Sequence, residues 1–184
     1  MMSTYRRPFG RVLVLGTLAL AVSACGSIDS GGRSFPVASV GPAMTVSPAV
    51  DQTRAALVSV LGARSLVLSD TQVPVRKAES PLLVAAPRAV YQVVLPKDPD
   101  KGFIVVYEFP DSGRAAAAAA AEEQAYLGSG PGRVQTPQGT VTVIRQVGVT
   151  VVLYDWLPAA SQDPSAAGIQ TALEGLGVGF AVAN

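Results

Sequence analysis

Histidine is absent from the 184-residue chain, and cysteine occurs once, as Cys25. Without histidine there is no Ser/His/Asp or Cys/His relay, no imidazole metal ligand and no imidazole switch near neutral pH. A lone cysteine excludes an intrachain disulfide and a CxxC metal or redox pair. Charge is sparse as well: 14 basic against 13 acidic side chains gives a formal +1. That balance provides no concentrated basic surface for phosphate, so nucleic acid is not an expected partner. Nothing in the residue types calls for a metal or a cofactor. The longest uncharged apolar stretch, residues 12–22, falls well short of the roughly 20 residues that a membrane-spanning helix needs.

What is present begins with an address. Arg6, Arg7 and Arg11, unaccompanied by any acid, run directly into that apolar stretch, which is the layout of an export signal. The stretch ends in Val22-Ser23-Ala24-Cys25. These four residues resemble the lipobox of bacterial lipoproteins: an aliphatic residue, two small residues, then the cysteine. The resemblance covers the first 25 residues. It implies a signal peptide over residues 1–24, cleavage before Cys25, diacylglycerol on the Cys25 thiol and acylation of the new amino group. It also implies an extracytoplasmic protein held to the cell membrane by its acyl chains. Two or three chains anchor firmly where one is marginal, because each buried methylene contributes about 0.8 kcal/mol. Arg6-Arg7-Pro8-Phe9 further resembles the twin-arginine export motif, although Gly10 stands where a second apolar residue is usual. Loss of residues 1–24 leaves 11 basic against 13 acidic groups, so the body of the protein has no evident attraction to anionic lipid.

Residues 25–50 are rich in Gly, Ser, Pro, Ala and Val without helical or strand period, which predicts a flexible tether carrying the lipidated Cys25. Residues 51–184 are expected to form a single α+β domain. Ala55, Leu57, Val58 and Leu61 recur at helical spacing before Gly62, with Asp51 or Ser47-Pro48 as the start. Short extended pieces follow at residues 66–68 and 71–75, then a loop through Lys77, Glu79 and Pro81. Residues 88–95 and 103–109 are β-branched and aromatic and flank a Pro- and Asp-rich loop, so they read as a hairpin. Both faces of the second strand are mostly apolar, which makes it central. Asp111-Ser112 opens a helix through seven consecutive alanines to Gly128, and residues 139–146 and 149–156 form a second strand pair. Asp163-Pro164 begins a last helix, and the C-terminal residues either fray or add an edge strand.

The expected architecture is therefore an antiparallel sheet of four to six strands with helices packed on one face. The similar endings Val106-Tyr107-Glu108-Phe109 and Leu153-Tyr154-Asp155-Trp156 suggest a ββα duplication. The arrangement looks like small bacterial lipoproteins in which an export signal and a Pro/Ser tether precede such a domain, and that likeness carries no catalytic motif.

Few residues are placed to do chemistry. Glu108 and Asp155 are acids within strongly apolar strands, and a pair formed by them would suit acid/base work or a hard metal ion. Tyr107, Tyr154 and Trp156 are the candidate ligand-contacting aromatics. Asp98-Pro99-Asp100-Lys101-Gly102 begins like a calcium loop but lacks the later ligands, and Gly128–Arg133 follows a helix where a phosphate loop would precede one. The expected function is a lipid-anchored binding or interaction module of the cell envelope, with an envelope protein or a small molecule as ligand. An envelope hydrolase acting through the Glu108/Asp155 pair is the competing reading.

Overall fold

In a computed structural model, the description covers residues 47–183 apart from 72, 74, 76 and 129–132, with the backbone alone for 181–183. The export signal, Cys25 and nearly all of the tether lie outside the described residues, as does most of the Gly128–Arg133 loop. Helix α1 (Pro48–Gly62) begins where its backbone donors find a cap: the Ser47 side chain accepts the Val50 N–H at 3.2 Å, and Pro48 stands at the first turn. Val50, Thr53, Leu57 and Leu61 form its buried stripe. The domain thus includes Ser47–Val50, and a boundary at Asp51 would cut through α1, because Val50 is core and its helix needs the preceding cap.

Strand β1 (Leu68–Asp70) is short, and helix α2 (Pro81–Ala85) is a single turn and a half within the stretch expected to be loop. Strands β2 (Arg88–Val93) and β3 (Phe103–Glu108) form the expected hairpin. Its loop returns through Gly102 at φ 81°, where an added Cβ would meet the Val93 carbonyl oxygen at 2.5 Å, so only glycine fits. Helix α3 (Ser112–Leu127) is capped by Asp111, whose carboxylate accepts the Arg114 N–H at 2.8 Å. Strands β4 (Val141–Val147) and β5 (Thr150–Trp156), helix α4 (Ala166–Glu174) and strand β6 (Val178–Ala183) complete the chain.

All six strands join in one antiparallel sheet of order β1-β2-β3-β5-β4-β6, which establishes the α+β class and places β3 and β5 at the centre. Side chains alternate between faces along a strand. Ile104, Val106, Val152 and Tyr154 therefore meet α1 and α4 through Leu57, Leu61, Ile169 and Leu173. Val105, Tyr107, Val151 and Leu153 meet α2 and α3 through Leu83, Ala115, Ala118 and Ala119. Helices consequently cover both faces, where one covered face was expected. The reason is in the central strands themselves, whose two faces are equally apolar and would otherwise leave one exposed to water at about 25 cal/mol per Å². Alanines on α3 let that helix lie close against its face.

The duplication does not survive either. A half-turn about the sheet normal brings β4–β5 onto β2–β3 but leaves α4 on the face opposite α3, so the two ββα units have opposite hand. Tyr107 and Tyr154, matched in the sequence comparison, lie on different faces of the sheet.

Truncation tests the boundary. A chain beginning at Ser47 is expected to unfold in one cooperative transition. One beginning at Asp51, which loses the cap and buried Val50, is expected to be destabilised by about 2–4 kcal/mol, combining a cap loss with a core deletion. Urea unfolding followed by circular dichroism compares the two, and equal midpoints would return the boundary to Asp51.

Candidate functional site

Antiparallel register decides the fate of the two strand acids. Glu108 pairs with Thr150 across the β3–β5 interface, and Asp155 lies five residues farther along β5. At about 3.4 Å per residue the separation is about 17 Å, far beyond the roughly 5–9.5 Å spanned by paired glycosidase carboxylates. They also lie on different faces, since Val106 and Leu153 do. The proposed carboxylate pair does not exist, and the hydrolase reading built on it falls. Asp155 is instead neutralised by an ion pair with the Lys77 ammonium, whose side chain is itself buried.

The candidate aromatics separate similarly. Tyr107 is wholly buried under α2 and α3, where desolvation raises its pKa far above that of free tyrosine and neighbouring Glu79 adds to the rise. Tyr154 is buried on the α1/α4 face, and desolvation again raises its pKa. Only Trp156 is partly open, and its Nε1–H donates to Gln170 Oε1 of α4 at 3.3 Å. Tyr154, Asp155 and Trp156 do share a crevice of about 170 Å³ with Lys77, Lys101 and Phe103. That volume is below the several hundred Å³ usual for ligand pockets.

One wall of the crevice is held by a reciprocal clasp between two loops. Asp98 Oδ2 accepts from the Ser161 hydroxyl (2.8 Å), Gln162 N–H (2.7 Å) and Asp163 N–H (2.9 Å). Asp163 answers by accepting the Lys97 N–H at 3.0 Å and the Ser165 N–H at 2.9 Å. Asp98 is therefore a loop fastener and not the first ligand of a calcium loop. The Asp163 amide, then the Ser161 hydroxyl, lower its pKa to about 2. A carboxylate with a depressed folded-state pKa stabilises the fold above its unfolded value, about 3.9, and that contribution disappears as pH falls through 2. Urea unfolding between pH 5 and about 2 should show this acid-dependent loss, and Asp98→Asn should be less stable at neutral pH yet lose less across that interval. Parallel pH profiles for the two proteins would remove Asp98 from the clasp.

A layer of polar groups lies beneath residues 77–80, and most of it was missed in the sequence. Glu122 of α3 is fully buried and its Oε2 accepts the Ser80 N–H at 2.7 Å. The Tyr126 hydroxyl donates to the Ala78 carbonyl at 2.8 Å. Glu79, almost wholly buried, accepts from the Lys77 amide at 3.1 Å and from Arg88 Nη1 at 3.2 Å. A phase argument does locate Glu122: it continues the buried series Ala115, Ala118, Ala119 and precedes Tyr126 at helical spacing. Glu79 and Lys77 lie outside regular elements, and no periodicity marks them.

Burial raises the Glu122 pKa, against the opposing influence of the Ser80 hydroxyl and amide. An acid raised in the folded state favours folding when protonated, so its effect is fully present below the unfolded value of about 4.3 and is lost as pH rises through the folded value. Glu122→Gln keeps an acceptor for Ser80 and removes the ionisation. It should therefore gain stability relative to wild type as pH increases from 4 to 9. Glu122→Ala should cost about 1–3 kcal/mol by leaving the buried Ser80 amide without its acceptor. Chemical denaturation across that pH range measures both, and a Gln variant that loses ground on alkalinisation would reverse the assignment.

The larger concavity, about 820 Å³, lies on the α1 side at the β2 edge of the sheet. Ser47, Val50, Asp51 and Arg54 supply one helical face, Ala89 and Tyr91 the sheet surface, and Asp70, Thr71 and Val73 the opposite wall. Glu108 closes one end. Arg54 bridges helix and strand by two 2.9 Å bonds to Asp70, and its guanidinium lies 6.0 Å from the Tyr91 ring centroid. Strand β2 is only half covered here: the β1–β2 ladder ends at Asp70↔Tyr91, so among the described residues Arg88, Ala89 and Val90 pair with β3 alone.

No protein family, curated protein or solved structure matches the chain.

Proposed function

We propose that the chain is a lipid-anchored lipoprotein of the bacterial cell envelope whose domain is a binding module, with the groove beside β2 as its contact surface. The address rests on the lipobox-like Val22-Ser23-Ala24-Cys25 behind a basic and apolar leader. The binding role rests on the groove: it is the size of a ligand site, it mixes apolar floor with charged walls, and half of its strand edge has no ladder partner among the described residues. The Gly-, Ser- and Pro-rich composition of residues 26–46 fits a tether between such an anchor and the domain.

Two measurements test the halves of this reading separately. Wild-type protein should fractionate with membranes and incorporate labelled palmitate, and Cys25→Ser should abolish both; unmodified wild type released to the medium would remove the anchor. A photo-crosslinking residue at Val90 should give a discrete adduct in intact cells, whereas one at exposed Val178 on the other sheet edge should not. Absence of any Val90-dependent adduct would remove the binding module.

A further inference from the structure

The charge inventory of the groove specifies more than a general contact surface. Among the described residues the charged ones that line it are Asp51, Arg54, Asp70, Arg88 and Glu108, of which Arg88 shares the Tyr107 face of the sheet and sends its side chain away from α1. Both cations are already engaged, Arg54 by Asp70 and Arg88 by Glu79. The Asp51 and Glu108 side chains make no salt bridge or hydrogen bond among the described residues. Two carboxylates that form no salt bridge among the described residues therefore lie at the groove, Asp51 on the helix wall, where it adds to the field around Arg54, and Glu108 on the sheet. They select for a cationic occupant, because an incoming acid would meet like charge at both places.

The backbone specifies the occupant's shape. Beyond Asp70↔Tyr91 the outer side of β2 has no ladder partner among the described residues over Arg88–Val90, while Thr71 and Val73 stand across the groove as its far wall. An extended segment entering there extends the sheet, with main-chain bonds for affinity and alternate side chains for selection. In such a segment every second residue points to the α1 side, toward Asp51 and Glu108. Apolar residues between them would lie on the other side, next to Val90.

Resting on the binding-module reading above, we infer that the groove takes an extended segment of a partner protein with Lys or Arg at alternating positions, added as a strand against Arg88–Val90. The protein's own tether is a poor occupant by the same charge argument: residues 26–46 contain a single cation, Arg33, offset by Asp29.

The test uses the full chain in detergent, isotope-labelled, and two capped pentapeptides, Val-Lys-Val-Arg-Val and Val-Glu-Val-Glu-Val. The basic peptide should shift the amide resonances of Ala89, Val90 and Asp51 at concentrations up to about 1 mM, the range of a weak specific site. The Asp51→Asn, Glu108→Gln double variant should bind it about tenfold more weakly, as should wild type at high salt. Methylating alternate peptide nitrogens, which removes strand donors, should also weaken binding about tenfold. Equal binding of the acidic peptide, an unaffected double variant, or no shift at these amides would each overturn the inference. Displacement of residues 26–46 or of a second copy from the groove would overturn it as well, by naming another occupant. If Val90 still forms its cellular adduct when the peptide fails, the binding module stands and only the basic strand is lost; if both fail, both are lost.

Discussion

Both faces of β3 and β5 are apolar, and that single property dictates the layering of the domain. Ile104, Val105, Val106 and Tyr107 are all buried although they alternate in direction, as are Val151, Val152, Leu153 and Tyr154. A strand pair of this kind is stable only between two covers. The chain supplies them from separate places: α1 and α4 for one face, α2 and α3 for the other. The two covers differ in kind. Leu57, Leu61, Ile169 and Leu173 fill the first with large side chains, whereas Ala115, Ala118 and Ala119 bring α3 close with small ones. Thr53 and Thr150 join the first cover to the sheet by a buried 2.7 Å hydroxyl contact.

The close approach of α3 explains why the polar layer sits where it does. A helix that packs through alanines leaves room at its end for a longer side chain to reach the edge of the sheet, and Glu122 and Tyr126 occupy that room. Both then hold the same short segment, Glu122 through the Ser80 amide and Tyr126 through the Ala78 carbonyl. Just before it Lys77 is tied to Asp155, and within it Glu79 is tied to Arg88. A segment of four residues is thus fixed by four side chains from α3, β2 and β5. Buried ion pairs of this sort add little net stability once desolvation is counted, but removing one partner leaves an uncompensated charge. The layer acts as a specific fastening between β1 and α2, in a part of the chain with few apolar residues of its own.

Much of this was legible in the sequence, and the omissions have physical causes. β-Branched alternation marked the four strands that form the two hairpins, and Asp111 with the alanine run marked α3 almost to the residue. The apolar character of both faces of residues 103–109 was visible too, and it already implied a second helical layer, so the one-faced arrangement was an inference left incomplete. Helix α2 spans five residues, too few to show a period. Glu122 was readable from helical phase, whereas Glu79 and Lys77 acquire their roles only when the loop folds over α3. Similar tetrapeptides at the ends of β3 and β5 suggested that Glu108 and Asp155 occupy like positions. In antiparallel neighbours, however, like positions fall at opposite ends.

That reversal also shapes what the domain can do. Antiparallel pairing of β3 with β5 sends Asp155 to the end where Lys77 and the loop clasp close a small crevice, and sends Glu108 to the end where β1 has already stopped. The acid at the closed end is paired, and the acid at the open end has no salt bridge among the described residues. Uncovered strand backbone and two acids without a salt bridge or hydrogen bond among the described residues therefore occur together beside β2, and the proposed basic strand rests on both. Neither would suffice alone: a bare edge accepts any strand, and an isolated surface acid attracts any cation through high-dielectric solvent for less than about 1 kcal/mol. Their coincidence beside β2 is what supports a preference of the groove in both shape and charge.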